Sequence, residues 1–319
     1  SPDASAHFFS EVKYERNINS RTTDDDKDFV FDEDPCEDLN NDGFITLIRI
    51  KDPAGNYIES DEDNRVMEQA DISKGQTGNY LVFSEGIDND KDENFNEDGA
   101  GGVNFNRNFT YNYEEFGMNA GLYPVSEPET RALADFLYDR FNIYAVFSFG
   151  PQDNLGQPMK IQEQPSSMPN GPQNNTPETG MNRRERGKIT SILKTDEQIN
   201  KLVSEKYHEI TGMKGSPPAI SEPGNFMEWA YYHYGRYSFS TPGWWLPVEK
   251  GKNPEVAFLK FAEKNKLQDV FITWTEITHP DFPDKKTEVG GIKPFALLTP
   301  PSDTIAGLIS SHYKFITAI

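Results

Sequence analysis

The sequence predicts an α/β domain in which a mixed central β-sheet is flanked by helices. Short apolar runs with the two-residue period of strands alternate along the chain with segments of helical period, an order typical of this fold class. The 319 residues suffice for one large domain, and 22 Phe, 14 Tyr and 4 Trp provide a sizeable core. We therefore expect a single folded domain over 1–319 and not a disordered chain.

Periodicity and turn residues predict the individual elements. Alternation predicts strands at 44–50 and 80–83. A helix is predicted over 126–141, with Ser126 as the N-cap and one apolar face formed by Leu133, Phe136, Leu137 and Phe141. The remaining predictions are a buried strand at 143–149, a polar surface segment at 152–181, helices at 195–211 and 253–267, and a strand at 271–277.

The charge of the chain excludes several classes of partner. With 52 acidic and 31 Lys or Arg side chains the formal net charge is -21, which disfavours binding to nucleic acid. No apolar run reaches the roughly 18 residues that a membrane span needs, and a single Cys excludes an internal disulfide framework. Residues 1–100 carry 27 acidic and 9 basic side chains, a net charge of -18, so the acidity is concentrated there.

Three acidic loops in the segment 22–100 place oxygen-bearing side chains at alternate positions. Such a segment is commonly a solvated face, but alternation also suits calcium, because a loop folded around the ion turns every second side chain inward. The sequence therefore predicts structural calcium sites on an acidic insertion. The candidate ligands are Asp24, Asp26 and Asp28; Asp38, Asn40 and Asp42; and Asp88, Asp90, Asp92, Asn94 and Asn96.

The second loop matches a calcium loop best, because Gly43 occupies its sixth position, where the chain must bend sharply. All three loops lack the bidentate Glu at position twelve, where Pro35, Arg49 and Gly99 stand instead. They therefore resemble loops whose shape is stabilised by bound calcium more than they resemble the loops of calcium sensors. Weak sites of this type fill only where calcium is plentiful, which favours an extracellular, cell-surface or periplasmic location.

Asn106 and Arg107 form the most informative candidate site. They follow a short extended run in the Gly-rich segment GGVNFNRNF. The planar guanidinium suits a carboxylate, and the Asn adds a neutral donor beside it, so the pair is a candidate for holding the C-terminal carboxylate of a peptide. The alternative is that Arg107 pairs with one of the nearby acids of this chain.

Several segments resemble the zinc carboxypeptidases of the carboxypeptidase A type. They are the N-R-N-F run at 106–109, the S-E-P-E-T-R-A-L run at 126–133, Pro2-Asp3, and the stretch 224–239. The acidic loops resemble insertions of a bacterial branch of that family. The resemblance implies a mixed eight-stranded sheet, a zinc ion held by two His and one Glu, a Glu as general base, and an Asn-Arg pair that binds the terminal carboxylate.

Only the Asn-Arg pair of that implied site has a match, at Asn106 and Arg107. No His of the chain has a Glu three residues later, so the family's first two zinc ligands are missing, and we expect the N-terminal part of the domain to be absent from the chain. The position of the third zinc ligand falls on Gly150 and that of the general base on Pro242, and neither residue can bind a metal or move a proton.

The sequence therefore favours a catalytically inactive carboxypeptidase-like domain that binds a peptide or protein C-terminus, or serves as a scaffold for other proteins at a bacterial surface. The alternative is an active zinc carboxypeptidase whose ligands come from the absent N-terminal segment. A further candidate, His279 with Glu276 as an acid-base pair, is weaker because a His in a surface loop commonly has no catalytic role.

Overall fold

The computed structural model describes residues 10–15, 17–22, 35–89, 91, 95, 102–159, 191–216, 222–249 and 251–319. Within these ranges the chain forms eight strands and five α-helices, so its mixed α/β content agrees with the sequence prediction. Among the described residues, no helix combines the length and the apolar character needed to cross a membrane.

Six strands form an antiparallel sheet in the order β3-β2-β4-β1-β8-β7. Short connections join two of its neighbouring pairs directly, β2 to β3 and β7 to β8, and antiparallel pairing is what short connections allow. The centre of the sheet is apolar, with Ile48 and Ile50 of β1 and Val289 of β8 fully buried. The strands are β1 (Leu47–Lys51), β2 (Tyr57–Glu59), β3 (Met67–Gln69), β4 (Tyr80–Ser84), β7 (Phe271–Ile277) and β8 (Thr287–Ile292).

The other two strands, β5 (Ala145–Phe149) and β6 (Tyr237–Thr241), pair in parallel and in register. Parallel strands need a long crossover, and here the crossover contains helices α2 (Lys194–Thr211) and α3 (Phe226–Tyr232). The described residues therefore do not form the single mixed sheet that the sequence predicts. Their parallel and antiparallel strands belong to two separate sheets.

The three remaining helices are α1 (Pro128–Tyr138), α4 (Pro254–Lys264) and α5 (Ser302–Ala318). Helices α1 and α3 enclose an aromatic core around Phe109 and Trp229, and α2, α5 and β6 share a second core around Tyr207. Helix α4 packs beside the six-stranded sheet through Val256, Phe258 and Leu259, in a third core.

The predicted apolar face of the first helix is partly wrong. Leu137 is buried, but Phe136 is 53% exposed and Phe141, which lies beyond the end of α1, is 89% exposed. The buried face consists instead of Thr130, Ala134 and Leu137, which follow the spacing of successive helical turns. The predicted N-cap is also wrong: the cap is Glu127, and the Ser126 hydroxyl donates to the Glu127 carboxylate at 2.6 Å.

Candidate functional site

The candidate site lies at the carboxyl ends of β5 and β6, the edge of a parallel sheet at which ligands commonly bind. Gly150 and Pro242 directly follow the two strands, and the Gly150 N–H donates to Thr241 O at 3.1 Å. Three consecutive side chains beyond Gly150, those of Gln152, Asp153 and Asn154, are each 2% exposed. A polar and almost fully buried segment therefore borders this edge.

Asn106 connects its own short 3-10 helix, Phe105–Arg107, to this edge and to helix α3. Its amide nitrogen donates to Gln152 Oε1, and its amide oxygen accepts the Phe226 N–H at 2.9 Å. Both ends of the side chain are thus used within the protein. Gln152 Nε2, on the same side chain that Asn106 contacts, is buried and has no hydrogen-bond partner among the described residues.

Arg107 forms an ion pair with Glu114, with 3.1 Å between Nη2 and Oε2. The alternative considered from sequence, that Arg107 pairs with a nearby acid of the chain, is therefore observed. The pair is only partly shielded, because the side chains are 23% and 54% exposed. Arg107 Nε is buried and lacks an acceptor within the described part of the chain, so the guanidinium has a donor that Glu114 does not use.

Asn108, which the sequence analysis did not single out, holds this segment in place. It is fully buried, and its amide nitrogen donates to Ala120 O at 2.8 Å, Ser126 Oγ at 3.0 Å and Tyr123 O at 3.2 Å. Its amide oxygen accepts from the Thr130 hydroxyl at 2.7 Å and from the Glu127 N–H at 3.2 Å. One side chain thus ties the candidate site to the start of helix α1.

Glu127 adds a second anchor beside Asn108. Its carboxylate is 1% exposed and accepts from Arg21 Nη1 and from Asn19 Nδ2, both at 2.8 Å. The N-terminal segment that contains Asn19 and Arg21 is therefore fixed against α1.

The described residues do not fit the zinc ion that the resemblance implies. Gly150 has no side chain and Pro242 has no donor atom, and each of the four described His rings hydrogen-bonds within the chain: His208 to Met213 O, His233 to Thr110, His279 to Gly86 O and His312 to Leu308 O. Across the described ranges, no group of three or more His, Cys, Asp or Glu side chains is placed to hold a metal ion. His7 lies outside these ranges.

The His279–Glu276 pair proposed from sequence is not formed. The His279 ring is 1% exposed, its Nε2–H donates to Gly86 O at 2.8 Å, and its Nδ1 accepts the Asp281 N–H at 3.2 Å. Glu276 instead faces Lys286 at 3.8 Å. The ring is used to join two loops.

The second acidic loop folds its side chains over its own backbone. Asp38 accepts the Gly43 N–H at 2.8 Å, Asn40 accepts the Asp42 N–H at 3.0 Å, and Asp42 accepts the Phe44 N–H at 2.9 Å. Gly43 has a φ of 87°, a value that glycine adopts without steric cost, as its position in the loop predicts. The two carboxylates and the amide oxygen are hard oxygen donors, so their chemistry fits calcium.

Glu85, a residue that the sequence analysis missed, lies beneath this loop. Its carboxylate is fully buried, accepts the Leu39 N–H at 2.9 Å and the Thr46 N–H at 2.8 Å, and so spans the loop from one end to the other. Burial raises the pKa of Glu85, and the nearby Asp38 raises it further. The only feature of the sequence that marks Glu85 is its position directly after a strand. In a region with many acidic residues, that position does not distinguish it from its neighbours.

The start of the third loop lies next to the second. Glu37 accepts the Ile87 N–H at 3.1 Å and the Asn89 side-chain N–H at 2.7 Å, and Asp88 accepts the Lys91 N–H at 2.6 Å. The candidate ligands Asp38, Asn40, Asp42 and Asp88 therefore belong to one region of the surface. The other candidates, Asp24, Asp26, Asp28, Asp90, Asp92, Asn94 and Asn96, lie outside the described residues.

A cavity of about 470 Å³ lies between the N-terminal segment and the six-stranded sheet, away from the candidate site. Three of its four charged side chains, all except Glu255, already have partners in the described part of the chain. Glu15 accepts the Phe295 N–H at 2.9 Å, Arg65 pairs with Asp63 at 2.6 Å and Lys293 pairs with Asp269 at 2.6 Å. The carboxyl edge of β5 and β6 remains the better candidate for the function that the motifs suggest.

Comparison of the chain with protein-family models, with curated proteins and with solved structures found no match. The likeness to zinc carboxypeptidases thus rests on the residues and motifs of the sequence alone.

Proposed function

We propose that the chain is a carboxypeptidase-like binding domain that holds the C-terminal carboxylate of a peptide or protein without cutting it. The observation that carries this proposal is the buried Arg107 Nε, which has no acceptor among the described residues although the same guanidinium is paired with Glu114. A buried donor without an acceptor is costly, so the guanidinium has hydrogen-bonding capacity that Glu114 does not use, and a ligand carboxylate that replaced Glu114 would bind the same charged group.

A ligand carboxylate could take the place of Glu114 beside the Arg107 guanidinium. Its side chain is 54% exposed, and ion pairs at this level of exposure contribute little to stability, on the order of 1 kcal/mol or less. A ligand carboxylate could therefore replace it on the guanidinium at small cost. Gln152 Nε2, the buried amide held by Asn106, supplies a second donor without an acceptor in the described chain.

The absence of catalysis in this proposal follows from Gly150 and Pro242. If the alignment with the family is right, these residues stand where a hydrolase needs its third zinc ligand and its general base, and neither side chain can do that chemistry. The domain would then keep the group that binds a chain end and lack the groups that activate water.

The acidic loops would hold structural calcium in this account, with Asp38, Asn40 and Asp42 as the best-placed ligands. Glu85 supports the proposal because it fixes both ends of that loop from beneath. Such sites suit a protein at the bacterial surface or in the periplasm, where other surface proteins are available as partners.

Peptides that differ only at the chain end test the proposal. We expect a mixture of pentapeptides with a free C-terminus to bind the full-length protein at least about tenfold more tightly than the same mixture with C-terminal amides, because the amide removes the charge that Arg107 would bind. Isothermal titration gives the affinities, and mass spectrometry of the recovered peptides should show them intact.

Equal affinity for the two mixtures would contradict the proposal that the protein binds the C-terminal carboxylate. Peptides shortened by one residue would instead support the alternative of an active zinc carboxypeptidase with ligands from outside this chain.

A further inference from the structure

A second cavity, of about 610 Å³, lies at the opposite edge of the parallel strands. Residues 141–144 directly precede β5 and residues 235–237 lead into β6, so the cavity is at the amino ends of both strands. Each strand has five residues, which places this edge about 16 Å from the carboxyl edge. The size is within the range of small-ligand sites.

Aromatic rings make up much of the cavity wall, which contains Phe141 and four tyrosines: Tyr144, Tyr231, Tyr232 and Tyr237. Phe141 is 89% exposed and Tyr144 is 84% exposed. Together these rings offer flat apolar faces to a ligand.

Asp196 fixes the orientation of the Tyr231 ring. Its carboxylate accepts the Tyr231 hydroxyl at 2.8 Å, and the Tyr231 oxygen in turn accepts the Leu193 N–H at 2.9 Å. Burial raises the pKa of Tyr231 to about 12, so this hydroxyl remains a neutral donor at physiological pH. The cavity wall is thus held in place before any ligand arrives.

The same carboxylate has acceptor capacity left for a ligand. Its other oxygen makes only long contacts, at 3.2 Å to the Thr195 hydroxyl and 3.5 Å to the Tyr237 hydroxyl. Arg236, whose guanidinium donates to Ile143 O at 2.7 Å, balances the charge of Asp196 in the cavity lining. A ligand therefore needs no net charge, but it does need hydrogen-bond donors.

We propose that this aromatic cavity binds a neutral oligosaccharide. A sugar ring offers C–H faces for the exposed rings and hydroxyl donors for Asp196, and it carries no charge. A proline-rich peptide also binds aromatic grooves, but it lacks N–H donors at its prolines and so matches the Asp196 carboxylate poorly. The site is independent of the carboxylate site at the opposite edge.

Titration with four neutral hexasaccharides, of β-1,4-glucose, α-1,4-glucose, β-1,4-xylose and β-1,4-N-acetylglucosamine, tests the proposal on the full-length protein. At least one should bind, and Tyr144→Ala should weaken that binding on the order of tenfold, because the exposed ring provides a stacking face. Tyr144 is so exposed that its truncation should leave folding intact, which circular dichroism checks.

Phe149→Ala is the matched control, because Phe149 is also an exposed ring, at 61%, but lies at the carboxyl end of β5. It should leave oligosaccharide affinity unchanged. The proposal is overturned if none of the four sugars binds, if Tyr144→Ala binds the sugar as well as the unaltered protein does, or if decaproline binds in place of the sugars.

Discussion

Asn108→Ala is expected to lower the free energy of unfolding by about 3–5 kcal/mol, the largest effect of any single substitution that we predict. The Asn108 side chain is fully buried and makes five hydrogen bonds, to Ala120, Tyr123, Ser126, Glu127 and Thr130. Alanine would leave two carbonyl groups, one N–H and two hydroxyl groups without that partner. Urea denaturation followed by tryptophan fluorescence measures the change.

Asn265→Ala provides the control for this experiment. Asn265 is exposed, and its side chain makes one hydrogen bond, to Phe261 O at 2.8 Å. We expect a loss of about 1 kcal/mol or less there. If Asn108→Ala cost no more than Asn265→Ala, Asn108 would not be the anchor of the candidate site.

Arg107→Ala is expected to weaken the binding of a peptide with a free C-terminus by about 1.5–3 kcal/mol, or roughly 10- to 150-fold. The reason is that the guanidinium would form charge-assisted hydrogen bonds with the terminal carboxylate, and alanine can form none. The affinity for the amidated peptide should hardly change. Isothermal titration of both peptides against both proteins separates the carboxylate contribution from general effects of the substitution.

Arg131→Ala removes the same charge from an exposed position on helix α1, where the guanidinium makes only a long contact, at 3.4 Å, to Val125 O. This control should bind both peptides as the unaltered protein does. An equal loss in the two variants would mean that net charge, and not the position of Arg107, determines affinity.

Local sequence patterns predicted those elements whose signal lies within a few residues. The strand expected at 44–50 appears as β1, the helix expected at 253–267 appears as α4, and the strand at Phe271–Ile277 appears with those bounds. Strands β2 and β3 have three residues each and β8 contains two glycines, so they lack the alternation that predicts a strand. Pairing with neighbours distant in sequence creates them.

The candidate site was predictable in its residue types but not in its connections. Asn106 receives its hydrogen bond from Phe226, a residue 120 positions away, and no local pattern contains that contact. Glu85 was missed for a related reason, because burial distinguishes it from the many solvated acids around it and burial depends on the tertiary fold. The pairing of Arg107 with a nearby acid was foreseen, since Glu114 is only seven residues away.

Elemental analysis of the purified full-length protein tests the central claim most directly, because it asks whether the protein carries the zinc ion that hydrolysis of a peptide would need. We predict bound calcium and only traces of zinc, together with no increase in hydrolysis when zinc is added to the peptide assay. One zinc ion per chain, accompanied by release of the C-terminal residue, would contradict the account.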